Sequence, residues 1–251
     1  MTSQQKQEII KKLIEDCTSH LPKALQWYTN VNQPIKVIDD TLSEVIHAYC
    51  HNTRCGGSGG GGWDHVDNGE DKNSSHIQSY ICPDCGKKVV FFADKCPSCG
   101  STKRGKIPHD GRWGISASSH FKWYDELKEY RLQLIEPLSD DASCRQFRLR
   151  YWVLAKDSEH LNLYAKAQLE SPKSNHINFQ PLKVDFYLSR PILKYDGVLT
   201  IHDDRTQFEF DFFDLDNQTP EEIPAEYCSA NSQSVVESKK LGKERGEWVR
   251  N

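Results

Sequence analysis

The chain has 251 residues, of which 37% are hydrophobic and 27% are charged, and this length fits one large domain or a domain with a small module. The mean hydropathy is −0.71, and no run approaches the roughly 18 apolar residues that a membrane-spanning helix needs, so an integral membrane protein is excluded. The formal net charge of −4 excludes a uniformly basic protein that coats nucleic acid, although it does not exclude a local basic surface.

The N-terminal sequence and the cysteines indicate the compartment. Residues 1–17 carry charge in every turn and lack the apolar stretch of a secretory signal. The nine cysteines are an odd number. They therefore fit a set of disulfide bonds poorly, and fit metal ligands or free thiols better. We therefore expect a reducing, cytoplasmic environment and no membrane partner.

Residues 1–55 are predicted to form a helical N-terminal part. Apolar residues recur at helical spacing over residues 2–17, with lysine and glutamate on the opposite face. A further helix is expected to start near Asp40, because Thr41 followed three residues later by Glu44 matches a capping box.

Residues 56–80 are expected to form a Gly-rich and acidic loop. This segment contains the E-x-K triplet formed by Glu70 and Lys72, with Asp64 and Asp67 upstream. In an extended segment, side chains two residues apart share a face, so Glu70 and Lys72 would point the same way. Two carboxylates can hold Mg²⁺, which polarises a phosphate and lowers the pKa of an attacking water, while a lysine orients that water.

Residues 81–112 are predicted to contain a zinc site followed by a basic connector. The sequence Cys-Pro-x-Cys-Gly occurs twice, and the ten residues between the two cysteine pairs are expected to form a short hairpin. Two such turns close a tetrahedral four-thiolate site for structural Zn²⁺ that has no open position for a substrate. The pattern resembles the zinc-ribbon family over about twenty residues. The expected zinc ligands are Cys82, Cys85, Cys96 and Cys99, and the connector carries Lys103, Arg104, Lys106 and Arg112.

Residues 113–220 are expected to form the α/β part of the main domain, and residues 221–251 a polar C-terminal tail. The predicted elements are strands at Tyr130–Ile135, Phe147–Leu154 and Val184–Leu188, a helix at Ser158–Glu170, and a hairpin of Gly197–His202 with Phe208–Phe213. The arginines that alternate with apolar residues in the second strand, Arg148 and Arg150, are candidates for phosphate contacts.

The triplet and its upstream acids resemble the PD-(D/E)xK signature that many type II restriction endonucleases share. The resemblance implies an α/β fold, a mixed sheet flanked by helices, with the zinc ribbon inserted. It implies that Glu70 holds Mg²⁺ together with Asp64 or Asp67, with Glu44 as an additional acid. It also implies sequence-specific cleavage of double-stranded DNA by a homodimer. No Pro-Asp pair precedes the triplet, and Asp64 lies only six residues before Glu70.

Other interpretations remain open. A non-catalytic zinc-ribbon adaptor would dock on nucleic acid or on a larger enzyme, with the acidic segment 203–222 as its interaction face. Three further groups of residues are weaker candidates for metal or phosphate binding. They are His47, Cys50, His51 and Cys55, which better fit a helix end with surface histidines and partly buried cysteines; His176 and Asn178, which resemble part of an HNH nuclease motif; and Asp110, His120 and Glu136.

Overall fold

The computed structural model describes residues 1–56, 63–75, 79–105, 112–139, 141–170 and 176–227. The helices are α1 (Ser3–Thr18), α2 (Leu21–Asn30), α3 (Asp40–His51), α4 (Ala117–Lys122), α5 (Glu159–Leu169) and α6 (Val184–Leu188). The strands are β1 (Gly69–Ser75), β2 (Ser79–Ile81), β3 (Lys88–Val90), β4 (Trp113–Ser116), β5 (Glu129–Pro137), β6 (Gln146–Ala155), β7 (His176–Phe179), β8 (Ile192–Ile201) and β9 (Thr206–Phe213). A single 3-10 turn covers Ala225–Tyr227.

A five-stranded mixed sheet with the order β1-β5-β6-β8-β9 forms the centre of the molecule. The pairing of β1 with β5 is parallel, and the other three pairings are antiparallel. Because side chains alternate along a strand, β5 and β6 contribute to a different hydrophobic core on each face of the sheet. The expectation of a mixed α/β protein is therefore confirmed.

Helices α1 to α3 and residues 79–105 contribute to the core on one face of the sheet. Helix α1 buries Ile10 and Ile14, as its apolar spacing predicts. The predicted cap of α3 is wrong by two positions, because Asp39 is the N-cap and its carboxylate accepts a hydrogen bond from the backbone N–H of Leu42 at 2.7 Å. Residue 41 already lies inside the helix.

Helices α4 to α6 and the two-stranded sheet β4–β7 supply the core on the other face. The prediction of a strand at Val184–Leu188 is wrong, since these residues form α6. The backbone N–H of Ser189 bonds to the carbonyl of Asp185, and Val184 and Phe186 are buried. Five residues that alternate between apolar and polar fit one helical turn as well as a strand, so periodicity could not decide between them.

Two pairings differ from the sequence-based expectation. Residues 69–75 form an edge strand of the main sheet and not part of a loop. The expected hairpin between the cysteine pairs is also wrong, because β3 pairs with β2, which precedes the first pair. Predicted strands at residues 130–135 and 147–154, the helix at 158–170 and the antiparallel hairpin of β8 with β9 are confirmed within one to three residues at most ends. Within the described residues, no helix has both the length and the apolar character needed to cross a membrane.

Gly69 lies against a buried arginine. A Cβ atom at this position would lie 2.4 Å from the Cζ atom of Arg131, whose guanidinium group is held by Asp67 and Glu129. We expect Gly69→Ala to lower the free energy of unfolding by about 2 kcal/mol, because the buried guanidinium group of Arg131 must move. Chemical denaturation measures this loss. Gly114→Ala is the matched control, since a Cβ atom there meets no atom within 4 Å. Equal stability of the two variants would contradict the prediction.

Candidate functional site

The four cysteines of the repeated turns lie close together. Cys82 Sγ is 3.7 Å from Cys99 Sγ, and Cys85 Sγ is 3.6 Å from Cys96 Sγ. All four sulfur atoms lie within 4.8 Å of one another, which suits a single metal ion such as zinc. In the described parts of the chain, this is the only group of three or more His, Cys, Asp or Glu residues that meets this distance.

The turns around the cysteines are built alike. Gly86 and Gly100 have φ values of +68° and +75°, the left-handed conformation that glycine adopts at little cost. Their N–H groups donate to the carbonyls of Cys82 and Cys96 at 2.9 and 2.8 Å. Each cysteine pair is thus followed by a glycine with positive φ.

The basic connector is partly used inside the protein. The guanidinium group of Arg104 lies over the rings of Tyr80 and Phe91, with its carbon 4.6 and 5.1 Å from the ring centres, and Lys103 pairs with Asp84 at 3.0 Å. Lys106 falls outside the described residues. Arg104 therefore stabilises the cysteine-containing segment, and its contacts do not leave it free as a phosphate ligand.

Strand β1 presents Glu70 and Lys72 on one face. Lys72 Nζ lies 2.5 Å from Glu70 Oε1, and both side chains are about a quarter exposed. Burial raises the pKa of Glu70, the ammonium group of Lys72 opposes that rise, and Asp64 and Asp71 add to it. The triplet is therefore a paired acid and base on a partly open surface at the sheet edge.

Asp64 lies beside the triplet. Its Oδ2 atom accepts a hydrogen bond of 2.7 Å from the backbone N–H of Asp71, the residue between Glu70 and Lys72. The backbone carbonyl of Asp64 in turn accepts a hydrogen bond from Gly56 at 2.7 Å. These two bonds fix the carboxylate along the outer edge of β1, next to Glu70.

Asp67 belongs to a different group. Its carboxylate binds Arg131 at 2.6 Å and Lys128 at 3.1 Å, and the Arg131 side chain is fully buried. Although burial opposes it, the hydrogen bonds from Arg131 and Lys128 hold the pKa of Asp67 well below its usual range. Of the four predicted catalytic residues, Asp64, Glu70 and Lys72 therefore lie together, while Asp67 neutralises a buried arginine.

Behind β1, two buried histidines hold Asp71. Its Oδ2 atom lies 2.8 Å from His65 Nε2 and 3.0 Å from His47 Nδ1, and neither histidine side chain is exposed. Burial opposes ionisation of Asp71, but the two histidines keep its pKa well below the usual range. The residue in the middle of the triplet thus anchors the strand from the face opposite Glu70 and Lys72.

The cluster of His47, Cys50, His51 and Cys55 does not converge on one point in the described structure. His47 faces Asp71, whereas His51 contacts the hydroxyl of Tyr151 at 2.6 Å. Burial lowers the pKa of His51 to about 2 and raises the pKa of the Cys50 thiol to about 12. These positions fit a helix end better than a second metal site, although His47 is fully buried and not at the surface as expected.

Glu44 on α3 is coupled to the acids at the edge of β1. Burial raises the pKa of Glu44, and the negative charges of Asp64 and Asp71 raise it further. The charge of Glu44 thus interacts unfavourably with the charges of Asp64 and Asp71, and its role as an additional acid of the site stays a prediction.

A pocket of about 180 Å³ opens beside Glu70 and Lys72. Its other walls include Trp63, Gly114, Leu127, Tyr130 and His120, with Ile115, Ser116 and Ser119. The sequence analysis did not assign Tyr130 to the site. It lies beside Glu70 because these residues are direct partners in the parallel pairing of β1 with β5, which no local sequence signal reveals.

The remaining candidates are dispersed. Arg148 is paired with Asp196 at 2.6 Å, and Arg150 is paired with Glu136. His120 is buried and bonded to Tyr130 and Asn162, while Asp110 falls outside the described residues. The backbone of His176 and Asn178 belongs to β7. The expected arginine face is therefore neutralised by carboxylates of the same chain.

Comparison with known proteins finds no matching family model, no matching curated protein and no matching solved structure.

Metal content tests the cysteine cluster. We expect the purified protein to contain one zinc ion per chain and Cys96→Ser to lose most of it, because three thiolates leave the tetrahedral site incomplete. Native mass spectrometry together with elemental analysis measures the content. Cys17→Ser is the control, since Cys17 is exposed and lies outside the cluster. Zinc retained by Cys96→Ser, or lost equally from both variants, would contradict this assignment.

The pH dependence of stability tests the role of Asp67. Because folding depresses the pKa of Asp67, its ion pairs stabilise the protein above the unfolded carboxyl pKa of about 3.9 and lose that effect as the pH falls below it. We expect Asp67→Asn to lower the free energy of unfolding by about 2 kcal/mol at pH 7. Denaturation between pH 7 and pH 3 should show this deficit shrinking, and a deficit that stays constant would be inconsistent with the ion pairs.

Proposed function

We propose that this protein is a Mg²⁺-dependent, sequence-specific endonuclease that hydrolyses phosphodiester bonds in double-stranded DNA, of the type II restriction kind. The observation that carries the proposal is the placement of Asp64. Its carboxylate is held by the backbone N–H at the centre of the triplet, so two carboxylates and a lysine lie at one edge of the sheet. This arrangement supports the PD-(D/E)xK resemblance, including a restriction-endonuclease-like sheet with an inserted zinc ribbon.

The donor atoms suit the proposed metal. Mg²⁺ prefers carboxylate oxygens and usually binds through one or two of them, and Asp64 and Glu70 provide such a pair. Their charges oppose each other, since Asp64 raises the pKa of Glu70, and a divalent cation would relieve that repulsion. When bound, Mg²⁺ supplies Lewis-acid polarisation of the phosphate and a more acidic water.

The residues of the chain have separate tasks. Asp64 and Glu70 bind the metal, with Glu44 as an additional acid at longer range. Lys72 orients the attacking water and offsets the negative charge that develops on the phosphate. Asp71, between its two histidines, keeps the strand in place. We do not assign Asp67 to the metal, because its Oδ2 atom binds both Arg131 and Lys128.

The DNA contacts must come from residues other than the paired arginines. Arg112 and Lys122 are exposed, and Lys122 ends the helix that carries His120 into the pocket. We assign phosphate contacts to these two side chains and a docking role to the proposed zinc ribbon. The proposal extends to a homodimer in the cytoplasm, since a two-fold axis would match a palindromic site.

The alternative is a non-catalytic zinc-ribbon adaptor. The observation that favours it is the internal neutralisation of Arg148 and Arg150, which removes two of the expected phosphate contacts. An adaptor should bind a partner whose capture survives Glu70→Gln and is lost with Cys96→Ser.

Cleavage assays with matched acid substitutions test the nuclease. We expect discrete Mg²⁺-dependent fragments from plasmid or unmethylated phage DNA, and none with EDTA. Glu70→Gln and Asp64→Asn should lower the rate by about a hundredfold or more without lowering the melting temperature. Asp67→Asn is the control, because it should lower stability while the folded fraction retains its rate.

Two outcomes would change the assignment. Equal fragments from the parent protein and Glu70→Gln would retain the activity and place the metal elsewhere. No cleavage of several DNAs, including methylated ones, would reject the nuclease and favour the adaptor.

A further inference from the structure

We propose that the pocket beside Glu70 and Lys72 binds one unstacked nucleobase of the DNA substrate. The inference rests on the proposed function for the identity of its ligand, and it adds a substrate requirement: a base at the cleavage site must leave the stack. The pocket itself is defined by its walls and by its position, both independent of any activity.

The volume selects a single ring system. An apolar cavity of about 150 Å³ is large enough to hold benzene, so an open pocket of about 180 Å³ fits the ring system of one nucleobase and not a base pair. Trp63 and Tyr130 line this pocket together with Leu127 and Ile115. This part of the wall favours a flat ring, which stacks on aromatic side chains whatever its hydrogen-bonding edge, while Glu70, Lys72 and two serines make the rest of the wall polar.

A chain of hydrogen bonds holds the aromatic wall in place. The Oδ1 atom of Asn162 can only accept a hydrogen bond, so His120 Nε2, at 2.7 Å, carries the proton and donates it. Burial lowers the pKa of His120, which keeps its ring neutral. Its Nδ1 atom is then the acceptor for the hydroxyl of Tyr130 at 2.8 Å. The Nδ2 atom of Asn162 donates to the hydroxyl of Tyr124 at 3.3 Å.

This chain determines what the pocket can recognise. The hydroxyl proton of Tyr130 and both ring nitrogens of His120 are already engaged within the protein. These residues therefore offer ring faces more than hydrogen-bonding edges. The pocket should hold purines and pyrimidines with little discrimination, and the sequence specificity of the proposed nuclease must come from other contacts.

The position explains why the ligand is part of the substrate. Tyr130 is the direct strand partner of Glu70, and Lys72 also lines the pocket. A base in the pocket would carry its own phosphate to the proposed metal-binding edge. In a regular duplex the bases face inward, away from groups that approach the backbone, so the base must rotate out of the stack or start unpaired.

Gly114 provides a way to fill the pocket without disturbing the strand. It lines the pocket, and a Cβ atom at this position meets no atom within 4 Å. Gly114→Leu should occupy the space meant for the base and leave Glu70 and Lys72 unchanged, while Gly114→Ala is the smaller control. Trp63→Ala is a second variant, which removes a wall instead of filling the space.

The first experiment measures binding of deoxynucleoside 5′-monophosphates by calorimetry without Mg²⁺, with inorganic phosphate and deoxyribose 5-phosphate as controls. We expect all four monophosphates to bind more tightly than either control, and Gly114→Leu and Trp63→Ala to weaken them about tenfold. Gly114→Ala should stay close to the parent protein. Monophosphates that bind no better than deoxyribose 5-phosphate, or equally well to Gly114→Leu and Trp63→Ala, would overturn the inference.

The second experiment uses duplexes that contain the cleaved sequence with a single mismatch moved along it. A mismatch at one position beside the cleaved bond should accelerate cleavage, because the base there is already unpaired. If matched and mismatched duplexes are cleaved alike, the inference fails while the nuclease stands. If no DNA is cleaved but the monophosphates bind as described, the nuclease fails and the ring-binding pocket stands.

Discussion

The buried guanidinium group of Arg131 determines how the edge of the sheet is built. A buried charge is tolerated when carboxylates and hydrogen bonds replace water, and here Asp67 and Glu129 do so at 2.6 and 3.0 Å. Asp67 is thereby held against β5, and Gly69 is needed because any side chain there would meet the guanidinium group. Gly69 directly precedes Glu70, the first residue of the triplet. The ion pair of Arg131 with Asp67 therefore also determines where the triplet begins.

The strand that carries the triplet is polar throughout, which is unusual for a strand in a sheet. Several of its polar side chains have partners: Asp71 lies between two histidines, Lys72 bonds to Glu70, and the amide nitrogen of Asn73 bonds to the carbonyl of Ile38 at 3.3 Å. Within the described part of the chain, the buried oxygens Asp71 Oδ1, Asn73 Oδ1 and Ser74 Oγ have no hydrogen-bond partner. Asp64 accepts a bond from the outer side of the strand, where an edge would otherwise expose its N–H groups. Three of the side chains that make these contacts, Asp64, Glu70 and Lys72, are thus also those proposed to react.

Sequence patterns predicted those elements whose formation depends on residues close together in the chain. The spacing of apolar residues locates α1, and the repeated cysteine pairs locate the thiolate cluster. The strand β1 was missed because GEDKNSS has no apolar alternation, and its partners come from α3 and from the turn before it. Tyr130 was not assigned to the site from the sequence, because a parallel pairing between segments sixty residues apart produces no recognisable pattern in either segment.

The charge distribution links metal binding to DNA binding in the proposed function. Several carboxylates lie at the edge of β1. Arg148 and Arg150, the arginines that were expected to contact phosphate, are paired with Asp196 and Glu136. Without a cation, this edge would repel a phosphate backbone. The aromatic part of the pocket contributes affinity that neither requires positive charge nor weakens with salt, as contacts between basic side chains and phosphates do. A site of this kind gains affinity from stacking and leaves neutralisation of the phosphate to the metal and Lys72.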